Sequence, residues 1–556
     1  MLKRSRIPLL TVMAVLIFAS CTKTNKQGRY LPKDAGFVLH IDGASLNAKL
    51  PWSEIKQNPL FQQLYADSAT PVFIKQALDS PDNSGIDIKG DLAFYVQNDT
   101  TGSIAAFTGT IKDAEKFRLF NLDATKGGSE SEKDGIKFIS KSPVCVGYNK
   151  ERFLYIINHE NYDFVNHQQG KARDLLTTCS GLFDLKESNS LGENEKFTAL
   201  VKTTGDLHIW MNAENTANLK GFNMKMPMMD LNKLTKGNIT TAIVNFENGK
   251  ILIATKSYAG KEMADFYKKF SGKNFDEEMV KRLPTKDVAA VFALGYNPEA
   301  INDFIKVLGL EGLTPLVPKF AGFSVEEFIK ANKGDVVIAI GDFKTKKDSP
   351  YVTKDSLGSP TMHGELFNTI PDFTFVTSVG DKDAFNKLIK AGEKFSGPFL
   401  TAFNISYNTD GKYFALSNSK ENVDKYFEKT SSNNFDFLSK ISGNPLGGYI
   451  NFQYIMKAFE SDITKDSTAK LIYDASLKTW DNAFIKGGNY DDGGITQSIE
   501  INLMDKNTNS LKQLNQYVGF LKKLERDFKK KVKAPYMDAE DVMKDNIAMP
   551  PAPVSK

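Results

Sequence analysis

The sequence predicts an α+β fold built from two homologous copies, each a largely antiparallel sheet with packed helices. The first observation is that short apolar runs alternate with tight-turn signals, which is typical of hairpin-connected strands. Fewer segments have helical spacing, a pattern that favours an antiparallel sheet over βαβ units. The second observation is that landmarks of the first half recur in the second half in unchanged order, roughly 240 to 270 residues later.

The chain begins with a segment that predicts a lipoprotein signal peptide at residues 1–20. Three basic residues precede Ile7–Ala19, an apolar stretch of about thirteen residues that is too short to span a hydrocarbon core of about 30 Å. Small residues then lead into Cys21, as in a bacterial lipobox, so we expect Cys21 to be acylated and to become the mature N-terminus. An ordinary secretory signal with a chance cysteine is the alternative. Residues 21–30 are predicted to form a tether.

The first elements of each copy are strands that follow matching turns. Each copy opens with a Leu-Pro turn and an aspartate before an apolar run, and a Gly-Asp pair opens the next run. In the third match an apolar run leads to an aspartate that can cap the following helix, and a phenylalanine four residues later faces the core. The matched runs are Phe37–Ile41 with Val288–Leu294, Leu92–Val96 with Val336–Ile340, and Ala105–Ile111 with Phe373–Val379, and the capping pairs are Asp113 with Phe117 and Asp381 with Phe385.

Hairpins and a closing helix complete each copy. The pairs Asp410-Gly411 and Asn248-Gly249 are strong signals for tight turns between two strands. The hairpin runs are Val144–Tyr148 and Phe153–Ile157, matched by Phe403–Tyr407 and Tyr413–Leu416, and then Thr241–Phe246 and Lys250–Thr255, matched by Phe484–Tyr490 and Ile495–Leu503. Helices are predicted at about Lys261–Phe270 and about Asn509–Leu524.

These matches divide the mature chain into two α+β repeats, at residues 31–271 and 283–525. The segment 344–370 is rich in Lys, Ser, Thr and Gly, and it is predicted to be a long loop inside the second repeat. From Lys529 the chain is basic and then proline-rich, so residues 529–556 are predicted to be a disordered tail.

Several of these features together carry a family resemblance. They are the lipobox, the Leu-Pro-x-Asp turn into the first strand, the entry Ile86-Asp87-Ile88-Lys89-Gly90-Asp91 to the next strand, and the duplicated body. With them the chain resembles Bacteroidetes lipoproteins classified only as domain of unknown function 4836, over nearly the whole mature chain. The family implies no activity and no catalytic residues. In such lipoproteins an acidic cluster after the cysteine resembles a signal for export to the cell surface, and residues 22–27 contain no acid, which favours an anchor that faces the periplasm.

Apart from Cys21 the chain has two cysteines, Cys145 and Cys179. Cys145 lies in a strand-like alternation, and Cys179 is predicted to follow a helix that ends near Leu176. In an oxidising periplasm the two could form a disulfide. Two buried thiols that act as small apolar side chains are the alternative, because nothing in the sequence fixes the distance between them.

Motifs and charge exclude several classes of function. The chain has no G-x-S-x-G elbow, H-E-x-x-H, P-loop or C-x-x-C motif. Its five histidines are too dispersed to suggest a zinc set, and His40 and His208, in strand-like runs, are interpreted as core or surface residues. The formal charge of +4 falls to +1 with the removal of the leader, which carries three basic residues and no acid, so no charge signature of nucleic-acid binding remains.

One local cluster is unusual, because it places four methionines within six residues. Thioethers suit Cu(I), so Met224, Met226, Met228 and Met229 are candidate copper ligands. Methionines also form adaptable apolar contacts with a core or a partner, which is the preferred interpretation. We therefore assign no metal and no cofactor.

The sequence favours a lipid-anchored cell-envelope protein with a non-enzymatic binding or scaffolding role. Its expected location is the outer membrane, facing the periplasm. Its expected partners are the membrane, through the lipid anchor, and an envelope protein or polymer. Two alternatives stay open: an envelope-polymer hydrolase with a dispersed active site, and a periplasmic Cu(I)-binding protein that uses the methionine cluster.

Overall fold

The computed structural model describes most of the chain after the predicted signal peptide. It covers residues 28–545, apart from residues 67–71, 100–101, 161, 164–167, 170–172, 218–230, 286, 346–350, 355–359, 364–368, 403, 429–432 and 465–466. The predicted signal peptide, Cys21 and the methionine cluster at residues 224–229 therefore lie outside the described residues.

The described residues form twenty-two β-strands. In chain order they are β1 (Phe37–Asp42), β2 (Asp91–Asp99), β3 (Gly102–Thr110), β4 (Ser129–Lys133), β5 (Ile136–Lys141), β6 (Val144–Tyr148), β7 (Arg152–Glu160), β8 (Tyr162–Asp163), β9 (Gln168–Gln169), β10 (Leu207–Asn212), β11 (Ile239–Glu247), β12 (Lys250–Tyr258), β13 (Val288–Gly295), β14 (Asn332–Thr345), β15 (Tyr351–Lys354), β16 (Pro360–His363), β17 (Thr369–Val379), β18 (Ser406–Thr409), β19 (Tyr413–Ser417), β20 (Leu446–Asn451), β21 (Trp480–Asp491) and β22 (Gly494–Leu503).

The described residues also form twenty α-helices. In chain order they are α1 (Gly43–Lys49), α2 (Trp52–Ile55), α3 (Pro59–Ala66), α4 (Val72–Asp79), α5 (Ala114–Thr125), α6 (Leu175–Phe183), α7 (Glu195–Lys202), α8 (Ala213–Ala217), α9 (Ala264–Phe270), α10 (Glu277–Lys281), α11 (Ala300–Leu308), α12 (Val317–Ala321), α13 (Val325–Ala331), α14 (Lys382–Ala402), α15 (Lys420–Phe427), α16 (Leu438–Ile441), α17 (Phe452–Ala458), α18 (Glu460–Ile463), α19 (Ser467–Thr479) and α20 (Ser510–Asp545).

Eighteen of the strands form one sheet, and every pairing in it is antiparallel. β1 lies between β2 and β10, and β13 lies between β14 and β20. From β1 the first half continues through β2, β3, β7, β6, β5 and β4 on one side, and through β10, β11 and β12 on the other. From β13 the second half continues through β14, β17, β19 and β18, and through β20, β21 and β22. The prediction of an α+β fold with antiparallel sheet is confirmed.

The two halves join along a ladder between β12 and β22, which we call the seam. It runs antiparallel from Lys250 opposite Asn502 to Tyr258 opposite Gly494. Counted outward from the seam, eight strands of each half pair in the same order, and the hairpin β4–β5 extends the first half alone. The seam pairs the backbone groups of two strands that would otherwise be sheet edges.

The two largest hydrophobic cores, one in each half, lie on the same face of the sheet, which we call the core face. In the first half Val38, Tyr95 and Trp210 are cross-strand neighbours and fully buried, and α6 and α7 contribute further residues to this core. In the second half Ala293 and Val337 face each other and are fully buried, with residues of α10, α15 and α16 packed in the same core. Helices also pack on the opposite face, where Phe117 of α5 is buried against Phe153 and Phe385 of α14 contacts Phe414.

Two predicted helix caps are confirmed. The carboxylate of Asp113 accepts hydrogen bonds from the backbone N–H groups of Glu115 and Lys116 at the start of α5, and Phe117 is fully buried one turn later. Asp381 accepts from the backbone N–H of Ala384 at the start of α14, and the following Phe385 is buried. The aspartates satisfy amide groups that have no partner inside the helix.

The structure differs from the sequence prediction at three places. The segment 344–370, predicted to be a loop, contains the hairpin β15–β16, whose polar residues hide the strand pattern. Cys179 lies inside α6 and does not follow it, because the buried residues Cys179, Leu182 and Phe183 keep helical spacing beyond Leu176. The final helix α20 continues to Asp545, past the position where the tail is predicted to begin.

Candidate functional site

The face of the sheet opposite the core face carries continuous rows of apolar residues. Residues that oppose each other in an antiparallel ladder share a face, so the register identifies rows across the sheet. Two adjacent rows cross seven strands, from β17 through β14, β13, β20, β21 and β22 to β12. One row contains Phe375, Ile338, Phe292, Gly448, Ile485, Ile499 and Ile253, and the other contains Phe373, Ile340, Ala290, Ile450, Ala483, Ile501 and Ile251. We call these fourteen residues the apolar strip.

Solvent reaches the apolar strip most at its strands β13 and β14. Phe292 and Ile338 oppose each other there, and they are 41% and 42% exposed. On the other side of Phe292 the row continues with Gly448, where an added Cβ would make ordinary contacts, the nearest at 3.4 Å from Ile485 Cβ. The other members are half-buried or buried. The strip is thus accessible to solvent mainly at Phe292 and Ile338.

The chemistry of the apolar strip is limited to dispersion and hydrophobic contact. Its fourteen side-chain positions offer no hydrogen-bond donor, acceptor or charge, and the strand backbones pair with their neighbours on both sides. The next row along the strands has polar residues toward its ends, Thr377, Gln497 and Thr255, and the apolar residues Val336, Leu294 and Leu446 between them. An antiparallel sheet commonly has one apolar face and one polar face. Here α5 and α14 cover other parts of the second apolar face, whereas Phe292 and Ile338 stay exposed.

The sequence analysis located these strands but did not identify the strip. The signal was present in runs such as Val288–Leu294 and Val336–Ile340, which contain no polar residue. A strand that is covered on one face alternates between apolar and polar residues, whereas a continuous apolar run predicts two apolar faces. The register that aligns seven such strands is not readable from local pattern.

Two buried histidines form a hydrogen-bonded chain on the core face of the first half. His40 and His208 oppose each other on β1 and β10, with 3.0 Å between their Nδ1 atoms. The carbonyl oxygen of Thr203 accepts from His208 Nε2 over 2.7 Å, so the Nδ1 of neutral His208 accepts from His40. His40 Nε2 lies 3.2 Å from Asp91 Oδ1. Burial lowers the pKa of His208, which favours its neutral form.

This histidine pair has no geometry for nucleophilic catalysis. Both rings are buried, and the chain of hydrogen bonds ends on a backbone carbonyl and not on a serine or cysteine. Of the two predicted locations, core or surface, the structure shows His40 and His208 in the core. Their contact was not predictable, because 168 residues separate them.

A buried ion pair lies next to the histidines. The side chain of Asp206, immediately before β10, is fully buried and accepts from Lys49 Nζ at 2.6 and 2.7 Å. It also accepts from Ser45 Oγ and from the backbone N–H of Phe246. These contacts fasten α1 to the end of β10 and β11. Both oxygens of the Asp206 carboxylate accept hydrogen bonds from these groups, which indicates a structural role for this side chain.

Cys145 and Cys179 come together in the structure. Cys145 on β6 and Cys179 on α6 are fully buried free thiols that hydrogen-bond to each other. The Cys179 thiol donates to Cys145, which lowers the pKa of Cys145 and raises that of Cys179. In this state both pack as small apolar side chains of the first core. Formation of a disulfide between them stays a prediction.

The described part of the chain shows neither a metal cluster nor a membrane-spanning helix. Among the described residues, no group of three or more His, Cys, Asp or Glu side chains is arranged to hold a metal ion. No helix within the described ranges combines the length and the apolar character that crossing a membrane requires. The candidate copper ligands Met224, Met226, Met228 and Met229 lie outside those ranges.

Comparison with known proteins gives one family model and two remotely similar solved structures. A family model described as "Domain of unknown function (DUF4836)" matches residues 28–413. The chain matches no curated protein. Two solved structures, crystal forms I and IV of TP0453, are 12% identical to it, cover 41% and 44% of this chain and 76% and 84% of their own, and have TM-scores of 0.23 and 0.24. TM-scores this low carry no argument about fold or function.

Proposed function

Because this chain belongs to the family defined by a domain of unknown function (DUF4836), its function must be argued from its own residues, and we propose that it is a non-enzymatic binding protein of the cell envelope. In this proposal Cys21 carries a lipid anchor after removal of residues 1–20, as in Bacteroidetes lipoproteins. The anchor holds the protein at the outer membrane, facing the periplasm. The binding surface is the apolar strip.

The observation that carries the binding role is the exposure of the apolar strip. Burial of apolar side chains contributes about 25 cal/mol per Å² to stability, so a sheet face that leaves Phe292 and Ile338 two-fifths exposed forgoes a favourable contact. Large apolar side chains that lie exposed side by side on adjacent strands favour a site of interaction. A scaffold of fully paired strands also holds such a surface rigid.

The described polar clusters favour binding over hydrolysis. A hydrolase needs a nucleophile or an activated water that a substrate can reach. The His40–His208 pair is buried, and the Asp206 carboxylate already accepts hydrogen bonds from Lys49, Ser45 and a backbone N–H. We therefore rank the non-enzymatic role above the envelope-polymer hydrolase.

We also propose that the two halves are homologous copies, at residues 31–271 and 283–525. The shared pairing order of eight strands per half supports this, as do the matched capping aspartates Asp113 and Asp381. Similar turns and similar order arise together most simply from duplication of one unit. A crystal structure in which the two halves superpose strand by strand is the expected result. Equivalent strands that connect in different orders would contradict it.

The anchor is tested by mass spectrometry of the mature protein from membranes. We expect an acylated N-terminus at Cys21, and we expect Cys21→Ala to abolish acylation and release the protein from membranes. Thr22→Ala, one residue later, serves as the control and should keep the anchor. An unmodified N-terminus at any other residue would sink the anchor proposal.

The binding surface is tested with the environment-sensitive dye 1-anilinonaphthalene-8-sulfonate and the folded mature chain. We expect the dye to fluoresce on the wild type and to lose most of this signal in Ile338→Asn. The control is Ile157→Asn, because Ile157 is also a strand isoleucine, is 49% exposed, and lies on β7 outside the strip. Equal signals from both variants would place the dye elsewhere and contradict the proposal.

A further inference from the structure

We propose that a pocket between helices α2, α3 and α4 binds one unit of a neutral saccharide. None of the residues that line this pocket belongs to the apolar strip, so the inference goes beyond the proposed binding surface and adds a second one. Two properties of the pocket select a sugar ring: an open aromatic wall, and a polar lining whose charges balance.

The aromatic wall comes mainly from α3. The pocket has a volume of about 300 Å³, which is at the lower end of the size range of ligand sites. Phe61 and Tyr65 line it from one face of α3, since they are four residues apart, and Leu78 lines it from α4. Phe61 is half-buried, and Tyr65 is 47% exposed. The wall therefore offers a flat apolar surface to a small ring-shaped ligand.

Trp52 of α2 holds this wall in place. Its ring contacts the Phe61 ring edge to face, with 5.5 Å between the ring centroids. Its Nε1 donates a hydrogen bond to the carbonyl oxygen of Leu78 over 3.2 Å. Trp52 thus ties together the two helices that form the pocket, and a wall that is already ordered loses little conformational freedom when a ligand binds.

Four polar side chains line the rest of the pocket, namely Lys56, Gln57, Gln62 and Asp79. Lys56 Nζ donates to the backbone carbonyl oxygen of Asp79 over 3.4 Å, and the Tyr65 hydroxyl donates to Asp79 Oδ2 over 3.4 Å. The ammonium and the two side-chain amides are donors, whereas the carboxylate and the amide oxygens are acceptors. Because one cation and one anion are present, the lining is neutral in sum.

This lining discriminates between classes of ligand. An anion would meet the Asp79 carboxylate and a cation would meet the Lys56 ammonium, so neither gains a net attraction. A hydrocarbon would cover polar side chains and replace none of their hydrogen bonds to water. A sugar ring suits both parts of the pocket, because its C–H face packs on an aromatic ring and its hydroxyl groups both donate and accept hydrogen bonds.

The experiment is saturation-transfer difference NMR of N,N′-diacetylchitobiose, a neutral disaccharide, with the folded mature chain. We expect transfer to the ring protons of the sugar, and saturable binding by isothermal titration calorimetry. Tyr65→Ala should weaken the affinity at least tenfold, because it removes the exposed part of the wall, and Asp79→Ala should weaken it at least threefold. Leu64→Ala is the matched control, since Leu64 is the neighbouring residue on α3, is 40% exposed and lies outside the pocket lining.

Far-UV circular dichroism and the thermal midpoint confirm that each variant is folded. Tyr65 and Asp79 are both exposed, so these truncations leave the hydrophobic cores intact. No saturation transfer from the wild type, or equal affinities of the wild type and Tyr65→Ala, would overturn the inference.

Two ionic probes test the neutral character of the site. We expect neither tetramethylammonium nor inorganic phosphate to displace the disaccharide at equal concentration. Displacement by tetramethylammonium would identify a site for cations on the aromatic rings, and displacement by phosphate would identify a site for anions. Either result would overturn the inference. Ile338→Asn should bind the disaccharide as the wild type does, so this outcome and that of the dye experiment on the apolar strip are separate.

Discussion

At the scale of single residues, an ion pair with a fully buried carboxylate lies near the start of β10. Asp206 has a fully buried side chain, and Lys49 is the cation that balances it, with ordinary solvent exposure of about a quarter. Surface pairs elsewhere, such as Lys330 with Glu326, are exposed at both partners. The two kinds of pair differ in what their removal leaves behind, because only the first leaves a carboxylate without water.

We expect Lys49→Met to lower the free energy of unfolding by about 3 kcal/mol, since it strands the buried Asp206 carboxylate. Urea denaturation followed by circular dichroism measures the change. Lys330→Met is the matched control, and an exposed pair predicts a change of at most about 0.5 kcal/mol. Equal effects of the two substitutions would show that Asp206 does not depend on its partner.

The buried histidine pair predicts a dependence of stability on pH. Burial lowers the pKa of folded His208 below its usual value of 6.5, while Asp42 and Asp91 oppose this shift. The unfolded chain then binds a proton more readily than the folded one, so the contribution of His208 to stability is present above pH 6.5 and is lost as the pH falls below it. A proton on His208 Nδ1 would also remove the acceptor that His40 uses.

We therefore expect that lowering the pH from 7.5 to 5.5 decreases the thermal midpoint of the wild type by more than that of His208→Gln. Scanning calorimetry of both proteins in matched buffers measures the difference, and other titrating groups cancel in the comparison. An equal decrease in the thermal midpoint of His208→Gln and of the wild type would contradict the role of His208.

At the scale of elements, local sequence predicted most strands and two helix caps, and it missed what depends on distant residues. Asp113 was predictable because the amide groups it caps lie two and three residues away. The hairpin β15–β16 was not, since its residues lack apolar alternation. The apolar strip and the contact between His40 and His208 depend on register between strands that are far apart in the chain.

The cap at α5 gives a prediction at this scale. We expect Asp113→Ala to lower the free energy of unfolding by about 1 kcal/mol, because two amide groups lose their acceptor. Urea denaturation measures it. Asp123→Ala on the same helix is the control, and it should change stability little because the Asp123 side chain is exposed and lies near the helix end. A loss of similar size in both variants would indicate a general charge effect and not a cap.

At the scale of the whole molecule, the seam makes one sheet out of two halves. β12 pairs with β11 and β22 along its full length, whereas β4 pairs with β5 alone in the part of the chain that the structure describes. We expect native-state hydrogen exchange to show slow amides for residues 251–257 and fast amides for residues 129–133. Mass spectrometry of exchanged peptides measures both. Fast exchange along the seam would mean that the halves separate in solution.

The seam also sets the order in which the molecule can be completed. Lys250 and Asn502 are neighbours in the ladder, but about 250 residues separate them along the chain. During synthesis β12 emerges long before its partner β22. The edge of β12, which contains Ile251 and Ile253, therefore stays unpaired until β22 is made. Closure of so distant a contact is slow, so arrival of β22 should limit the folding rate. Until then the nascent protein presents an aggregation-prone border that a holding chaperone would have to cover.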